Sequence, residues 1–473
     1  MCRLTHQVRR LLSLGLVLLL GACATINVPD TTPLKKAADG QPAYGQGYQL
    51  PYMLKDPKGA ILTVLAFSGG GKRSSAFAFG ALRGLRDIKV TEGGVTRTAL
   101  DEVDYISAVS GGSFPAAYYG LYRDKAFDTF ADAFLYRDID AYIWGTFLLP
   151  WNWQWLITPY YGTNDHMAGV YDRLMFHGAT FADLQRNDLP VISINATDIA
   201  NGWSFPFQQA YFDMLCADMA PYPVARAVAA SNGFPVVFTP ITLTSRRPDC
   251  GSVYPPIVRS IVSVSPEEFS RRTVLARIAR TYLDYQRTRY VHLMDGGIAD
   301  NLALRALFNG LIAVNDRSAL FRAIADHSRR VLVVSIDGEA ATNPKLGQQR
   351  IVTGLGQILS AVTGTQIDAY NFETLLLADQ ITASIVERVK SARCLQAKTI
   401  DGHACEDVQG RFVHISLDDV PDASVRAQLQ AIPTGLTIPR KDVDLLVEWG
   451  EKLVRENTDI RAMTEGLDAS PGS

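Results

Sequence analysis

Continuous apolar runs of strand length recur along this chain, separated by stretches long enough to hold helices. The runs lie at residues 61–67, 105–109, 191–194, 290–294, 331–336 and 412–415. Short apolar runs without alternation are typical of strands that are buried on both faces of a sheet. The pattern therefore predicts an α/β fold in three layers, with a mainly parallel sheet and helices on both faces.

Two stretches have the spacing of helices. Small residues follow the first strand at helical spacing as far as Leu85, and residues 441–454 carry apolar side chains on one side of a helix. The predicted body is one domain over residues 60–460. Residues 23–59 are rich in Pro, Gly and Lys and predict a flexible tether, and residues 461–473 predict a disordered tail.

Residues 141–161 are crowded with Trp, Tyr and Leu. Pro150 and Pro159 interrupt the segment, which excludes a membrane-spanning helix. Two interpretations stay open, a buried subdomain or lid over the site and an aromatic surface that enters the membrane interface. We favour the buried subdomain or lid, because aromatic-rich runs are more often core.

The first residues have the layout of a secretory signal. Three arginines precede an apolar run at residues 11–20, which is too short to span a bilayer as a mature helix. The run ends in Leu-Gly-Ala before Cys23, which resembles a bacterial lipobox. The resemblance implies removal of residues 1–22, lipidation of Cys23 and an anchor in the cell envelope. By resemblance to lipoprotein sorting rules, the lack of an Asp directly after Cys23 favours the outer membrane, facing the periplasm. The alternative is a plain signal peptide or an N-terminal membrane anchor.

Composition limits the classes of partner. The chain has 473 residues, of which 47% are apolar and 20% charged, with a formal net charge of -2. This is a globular composition without the basic surface that nucleic acid binding requires. No Cys/His cluster indicates a metal, and no cofactor motif is complete.

Four cysteines remain after the predicted signal and lipidated Cys23 are set aside. They are Cys216, Cys250, Cys394 and Cys405. An even number in an oxidising compartment predicts disulfides, with three possible connectivities. We favour the pairs that are local in sequence, Cys216 with Cys250 and Cys394 with Cys405. Four free thiols are the alternative.

Ser110 follows the strand at residues 105–109 and is followed by two glycines. A serine at such a strand-to-helix turn has its hydroxyl exposed at the positive end of the next helix, where a nucleophile is useful. Ala108 stands where the G-x-S-x-G motif has its first glycine. An ordinary Ser/Gly loop is the alternative interpretation of this stretch.

Asp295 is the candidate base for Ser110. It follows the strand at residues 290–294 directly and precedes two glycines, so its carboxylate should lie at the carboxyl end of a strand. None of the seven histidines has a comparable turn-like setting. A simple Asp-Gly turn is the alternative.

A third turn follows the strand at residues 61–67. Gly69, Gly70 and Gly71 leave backbone N–H groups free to converge, and Lys72 and Arg73 add positive charge at the rim. This arrangement suits an oxyanion hole. The spacing satisfies neither the P-loop nor the dinucleotide-binding motif.

The order strand-GGGKRS, strand-AVSGGS, strand-DGG resembles the patatin-like phospholipases, over roughly residues 60–304. The resemblance implies a Ser-Asp dyad without histidine, with Ser110 as nucleophile and Asp295 as base. It also implies that residues 69–71 form the oxyanion loop and that Arg73 holds the family's basic position. Residues 229–238 and the Asp300-Asn301 pair fit the same family. Ala108 and Ser74 replace glycines of the family's motifs.

The resemblance implies a membrane-anchored hydrolase of phospholipid or lysophospholipid acyl esters without a cofactor. Another acyl chemistry on the same scaffold, as in a thioesterase or acyl transferase, stays open. So does an inactive lipoprotein that binds lipid or a protein partner.

Overall fold

The computed structural model describes most of the predicted body. The described residues are 30–49, 59–148, 161–187, 190–235, 237–256, 258, 270–313, 319–340, 350, 355–400 and 402–467. The predicted signal segment and Cys23 lie outside them.

A mainly parallel sheet forms the centre of the molecule. Among the described residues it contains eight strands, which are β2 (Ile61–Phe67), β5 (Val103–Val109), β6 (Val191–Asp198), β7 (Trp203–Pro206), β9 (Ile241–Thr244), β10 (Tyr290–Met294), β11 (Arg330–Asp337) and β14 (Gln409–Ser416). Their order is β14-β11-β2-β5-β6-β10-β9, with β7 beside β6. The first five in this order are parallel to one another, whereas β10 is antiparallel to both of its neighbours. Every apolar run that predicted a strand lies in this sheet.

Shorter strands pair outside the central sheet. They are β1 (Thr32–Pro33) with β8 (Ala217–Asp218), β3 (Lys89–Glu92) with β4 (Val95–Thr98), and β12 (Thr399–Ile400) with β13 (His403–Ala404).

Helices cover both faces of the sheet, as the sequence predicts. They are α1 (Gly71–Asp87), α2 (Ser113–Tyr122), α3 (Ala126–Phe130), α4 (Ile139–Leu148), α5 (Thr163–Tyr171), α6 (Phe181–Arg186), α7 (Gln209–Met214), α8 (Val224–Ser231), α9 (Arg271–Leu283), α10 (Gly297–Asp300), α11 (Leu304–Ala313), α12 (Ala319–His327), α13 (Leu355–Gln396), α14 (Ala423–Gln430), α15 (Arg440–Glu456) and α16 (Thr458–Thr464). All seven residues of β2 and of β5 are buried, which requires a covering layer on each side. The helix predicted over residues 441–454 is α15, which buries Val443 and Leu446.

The prediction that residues 23–59 form a flexible tether is wrong for residues 30–49. Strand β1 pairs with β8, and Tyr48 is 1% exposed. The Tyr48 hydroxyl accepts a hydrogen bond from the Ile192 amide of β6 at 2.6 Å, and its ring packs edge-on against Phe181. The sequence does not reveal this ordered structure, because one buried tyrosine and a two-residue strand produce no periodic pattern. Residues 23–29 and 50–58 lie outside the described residues.

The predicted disordered tail is also wrong over residues 461–467. Helix α16 continues to Thr464, and the side chains of Met463 and Leu467 are buried. The Arg330 guanidinium donates to the carbonyl oxygens of Met463 and Glu465, at 2.8 and 2.7 Å. These contacts come from a residue more than a hundred positions earlier, so the tail's own sequence does not reveal them.

Only the first part of the aromatic segment at residues 141–161 can be described. In α4 the side chains of Trp144 and Leu148 are 62% and 71% exposed, while Ile143 packs against the core. The described part is therefore not a buried subdomain, which was one half of the favoured interpretation of a buried subdomain or lid. Residues 149–160 lie outside the described residues.

None of the helices in the described ranges combines the length and the apolar character that crossing a membrane requires.

Candidate active site

Ser110 occupies a sharp turn between β5 and α2. Its φ angle is +50°, in the left-handed region that a residue with a side chain adopts only when its surroundings impose it. The Ser110 amide donates to the Ser231 hydroxyl at 2.8 Å, and that hydroxyl donates to the Asn195 carbonyl at 2.6 Å. Gly111 has no room for a side chain, since a Cβ there would lie 2.0 Å from the Gly71 carbonyl oxygen. The strained turn is thus held by contacts with the sheet, with α8 and with the triple-glycine loop at residues 69–71.

Asp295 lies within direct hydrogen-bond distance of Ser110. The Ser110 hydroxyl donates to Asp295 Oδ2 at 2.8 Å, and the Gly297 amide donates to Asp295 Oδ1 at 2.8 Å. Asp295 is fixed through its own amide, which donates to the Gly233 carbonyl at 3.0 Å. Burial raises the pKa of Asp295 to about 6, against the lowering effect of the bonds from Gly297 and Ser110. A buried carboxylate with this pKa is a stronger base than an exposed one and is still ionised at neutral pH.

The antiparallel direction of β10 brings Asp295 to Ser110. Val109, the last residue of β5, pairs with Asn195 of β6. Strand β10 runs the other way along β6, so that Gly296 reaches the same level, where a Cβ on it would lie 2.2 Å from the Asn195 carbonyl oxygen. Two strands of opposite direction therefore end at one point.

The triple-glycine loop lies beside the Ser110 turn. Gly70 and Gly71 have φ angles of +130° and +61°, and α1 begins at Gly71. The amides of Gly70 and Gly71 have no hydrogen-bond partner among the described residues. Gly69 is different, because its amide donates to the Asn301 carbonyl at 2.9 Å. Gly70 and Gly71 are therefore the available donors, whereas the amide of Gly69, the other glycine of the predicted oxyanion loop, is already bound.

The chain also resembles a known protein family. The family model of the patatin-like phospholipases matches residues 65–308, which is just over half of the chain. The chain belongs to the patatin-like phospholipase family. Membership supports a lipid acyl hydrolase activity in general. No curated protein matches the chain.

In this patatin-like domain Arg73 links the triple-glycine loop to two other segments of the chain. Its Nε donates to the Gly338 carbonyl and its Nη1 to the Ile432 carbonyl, both at 2.7 Å. Burial lowers the pKa of Arg73, against the raising effect of the nearby Glu339 and Asp337 carboxylates. Because two of its nitrogens are bound to carbonyl groups, Arg73 holds the loop against β11 and the segment before α15. The guanidinium is therefore buried among carbonyl groups, whereas the sequence led us to expect its charge at the rim of the oxyanion hole.

Both departures from the family's motifs are accommodated. Ala108 is fully buried inside β5, and the strand keeps regular pairing with β6 there. The Ser74 hydroxyl donates to the Ser68 carbonyl at 2.6 Å. Gly338 provides the space for Ser74, since a Cβ on Gly338 would lie 2.5 Å from the Ser74 Cα.

The patatin-like site also contains polar residues to which the sequence assigned no role. Ser231 and Asn232 end α8 and contact Ser110, and Asn301 binds the glycine loop through its carbonyl oxygen. The Asn301 Nδ2 group also donates to the Glu339 carboxylate at 2.8 Å. The resemblance of residues 229–238 and of the Asp300-Asn301 pair to the family was the available signal. No histidine in the described ranges is hydrogen-bonded to Ser110 or Asp295.

Four cysteines of the described ranges form two disulfides. Disulfides join Cys216 to Cys250 and Cys394 to Cys405, with Cα atoms 6.0 and 4.9 Å apart.

The contact between the two glycine turns predicts a large effect of Gly111→Ala. A methyl group would overlap the Gly71 carbonyl oxygen, so either the Ser110 turn or the triple-glycine loop must move. We expect a loss of about 2–4 kcal/mol in the free energy of unfolding and a loss of esterase activity in the molecules that still fold. Urea denaturation and initial rates on a short-chain ester measure the two effects.

The matched control is Gly310→Ala in α11. That position is exposed and has open space where the Cβ would lie. We expect an unchanged rate and a small gain in stability, since alanine is favoured over glycine in a helix by about 0.5–1 kcal/mol. Equal effects of the two variants would contradict the packing of the two turns.

Proposed function

We propose that this protein is a membrane-anchored acyl hydrolase of phospholipase A or lysophospholipase type. Ser110 is the nucleophile, Asp295 is the base, and the amides of Gly70 and Gly71 bind the oxyanion. The observation that carries the proposal is the 2.8 Å contact between the Ser110 hydroxyl and a buried Asp295 carboxylate, beside a loop with two available amides.

The first half of the reaction makes an acyl-enzyme. Asp295 accepts the Ser110 proton while Oγ attacks the ester carbonyl carbon, and the carbonyl electrons move to the oxygen, where the two amides stabilise the negative charge. When this intermediate collapses, the ester C–O bond breaks and the departing alcohol takes the proton from Asp295. The products of this half are the acylated Ser110 and a lysophospholipid or glycerophospho-alcohol.

The second half releases the fatty acid. Asp295 takes a proton from water, the hydroxide attacks the acyl carbonyl, and the bond to Ser110 Oγ breaks. Oγ recovers the proton from Asp295. One carboxylate thus serves both halves, which is consistent with its direct contact with Oγ and with its raised pKa.

Exposed apolar side chains support a lipid substrate, because they lie next in sequence to residues that are bonded to the site. Phe234 follows Gly233, whose carbonyl binds Asp295, and Ile298 lies three residues after Asp295; both side chains are exposed. Phe372 is 63% exposed on α13, next to Asn371, which shares the Glu339 carboxylate with Asn301. Apolar groups at the rim of a polar site favour acyl chains over small hydrophilic esters.

Product analysis on defined vesicles tests the proposal. Purified full-length protein in mild detergent is incubated with phosphatidylglycerol, phosphatidylethanolamine or lysophosphatidylethanolamine, and free fatty acid is measured over time. We expect release that is absent with Ser110→Ala. Vesicle binding without any release, for wild type on all three lipids, would favour the inactive lipid-binding alternative.

Anchoring through Cys23 is part of the proposal and has its own test. Because β1 begins at Thr32, the chain from Cys23 to the folded body could span at most about 30 Å. Cys23→Ser should move the protein from the membrane fraction of the producing bacterium to the soluble fraction. Cys2→Ser, within the predicted signal, should leave it in the membrane. Membrane association that persists in Cys23→Ser would contradict lipidation.

A further inference from the structure

Ser110 Oγ has a second polar neighbour besides Asp295. Asn232 Oδ1 lies 3.3 Å from Oγ on one side, and Asn232 Nδ2 lies 3.4 Å from the Tyr171 hydroxyl on the other. All of these groups are buried. A chain of four polar side chains therefore runs through the site in the order Tyr171, Asn232, Ser110, Asp295.

The number of protons determines the direction of each hydrogen bond in this chain. A serine hydroxyl has one proton, and ionised Asp295 can only accept, so the Ser110 proton lies on the 2.8 Å contact with Asp295. Oγ can then only accept from Asn232. If the amide oxygen faces Oγ, two acceptors lie against each other, whereas the amide nitrogen in that place donates a hydrogen bond to Oγ. A half-turn of the Asn232 amide keeps its shape and removes this clash of acceptors, so we assign Nδ2 to the Ser110 side and Oδ1 to the Tyr171 side.

Tyr171 completes this assignment as a donor. It is 1% exposed, and its ring packs edge-on against Phe114 with centroids 5.0 Å apart. Burial raises the pKa of Tyr171 well above its usual value, so the hydroxyl keeps its proton. A protonated phenol donates to the Asn232 oxygen and thereby holds the amide nitrogen towards Ser110.

The end of α8 fixes Asn232 in place. The backbone amide of Asn232 donates to the Val228 carbonyl at 2.9 Å, in the last turn of the helix. Its neighbours Ser231 and Gly233 bind the amides of Ser110 and Asp295, respectively. One three-residue segment therefore positions the backbone of the nucleophile, the oxygen of the nucleophile and the backbone of the base.

We propose that Asn232 is a third catalytic residue, whose Nδ2–H donates to Ser110 Oγ and stabilises the negative charge that Oγ develops. This inference rests on the proposed function of Ser110 and Asp295. As the proton passes from Oγ to Asp295, the Oγ atom becomes alkoxide-like and accepts the Asn232 bond more strongly. The same bond helps Oγ to leave during deacylation. Asn232 neither gains nor loses a proton in either half.

The decisive variant is Asn232→Leu, which keeps the approximate shape of the side chain and removes the donor. Because the bond strengthens only as charge develops, we expect kcat on a soluble ester to fall about 10–100-fold with KM changed by less than about threefold. The rate constant for inactivation by a fluorophosphonate should fall by a similar factor. Asn164→Leu is the matched control: it removes a buried amide that binds the Ala229 carbonyl of the same helix without touching Ser110.

Tyr171→Phe keeps the ring packing and removes only the hydroxyl that holds the amide. We expect a smaller loss in kcat, about 3–10-fold, again with KM nearly constant. Tyr222→Phe is its control, a buried tyrosine of the core that does not contact Asn232 or Ser110. This pair provides a test even if leucine at position 232 or 164 prevents folding.

The outcomes separate this inference from the proposed function. Wild-type kcat in both Asn232→Leu and Tyr171→Phe, or equal losses in the variants and their controls, would overturn the role of Asn232 and leave Ser110 and Asp295 in place. Full activity in Ser110→Ala would overturn both. A selective loss of kcat in Asn232→Leu and Tyr171→Phe, with their controls within about threefold of wild type, would establish Asn232 as the hydrogen-bond donor to Ser110.

Discussion

Replacing Ser110 with alanine is expected to lower the kcat for ester hydrolysis by at least about 10³-fold, because no acyl-enzyme can form without Oγ. Substrate binding should persist, since the oxyanion amides and the apolar rim are unchanged. The change removes one hydrogen bond to the buried Asp295 carboxylate, which costs about 1–3 kcal/mol, so the thermal midpoint should fall by only a few degrees. Initial rates on a short-chain ester and a vesicle-binding assay, performed on the same preparation, measure both properties.

A matched serine controls for nonspecific effects of this change. Ser204 in β7 has a buried hydroxyl without a hydrogen-bond partner among the described residues. Ser204→Ala should therefore keep wild-type activity and full stability. Activity of Ser110→Ala within tenfold of Ser204→Ala would remove Ser110 from the reaction.

Asp295→Asn is expected to reduce kcat by about 10³-fold or more, because an amide has the same shape as the carboxyl but cannot accept the serine proton. The same change should stabilise the protein at neutral pH by about 1–3 kcal/mol, since it removes an ionised group whose charge is disfavoured by burial. The expected gain shrinks as the pH falls from about 6 to about 4, because the carboxyl of folded wild type becomes protonated and no buried charge remains. Urea denaturation at pH 4 and pH 8 measures this dependence.

The sign of the pH effect on catalysis follows from the same group. Burial raises the pKa of Asp295 from 3.8 to about 6, and only the ionised carboxylate can act as a base. In wild type, kcat/KM should thus fall as the pH is lowered through about 6. Asp300→Asn is the control, because Asp300 is equally buried, has a pKa raised by burial, and lies away from Ser110 with its Oδ2 bound to the Ala306 amide. An Asp300→Asn variant as inactive as Asp295→Asn would contradict the assignment of the base.

The sequence predicts the sheet well because its central strands β2, β5 and β6 are buried along their whole length and the other predicted strands are also apolar. The run at residues 61–67 and the run at residues 290–294 coincide with β2 and β10. An apolar run carries no information about strand direction, however, so the sequence placed Asp295 at the carboxyl end of a strand without giving the direction of that strand. It reaches that edge because β10 is antiparallel to β6.

The parts that the sequence missed depend on contacts between distant residues. Tyr48 is anchored by the amide of Ile192, and the Gly69 amide is bound by the Asn301 carbonyl. The hydrogen bonds of Ser231 and Asn232 to Ser110 join residues more than a hundred positions apart. None of these contacts produces a local pattern, whereas the three glycine-rich turns do, because each requires glycine where the backbone is strained or closely approached.

The most direct test of the Ser110–Asp295 dyad is covalent labelling of the full-length protein with a fluorophosphonate, followed by mass spectrometry of the labelled peptide. The dyad predicts one adduct, on Ser110, that is absent in Ser110→Ala and forms at least about 10²-fold more slowly in Asp295→Asn. An adduct on another residue, or an unlabelled protein that still hydrolyses esters, would contradict it.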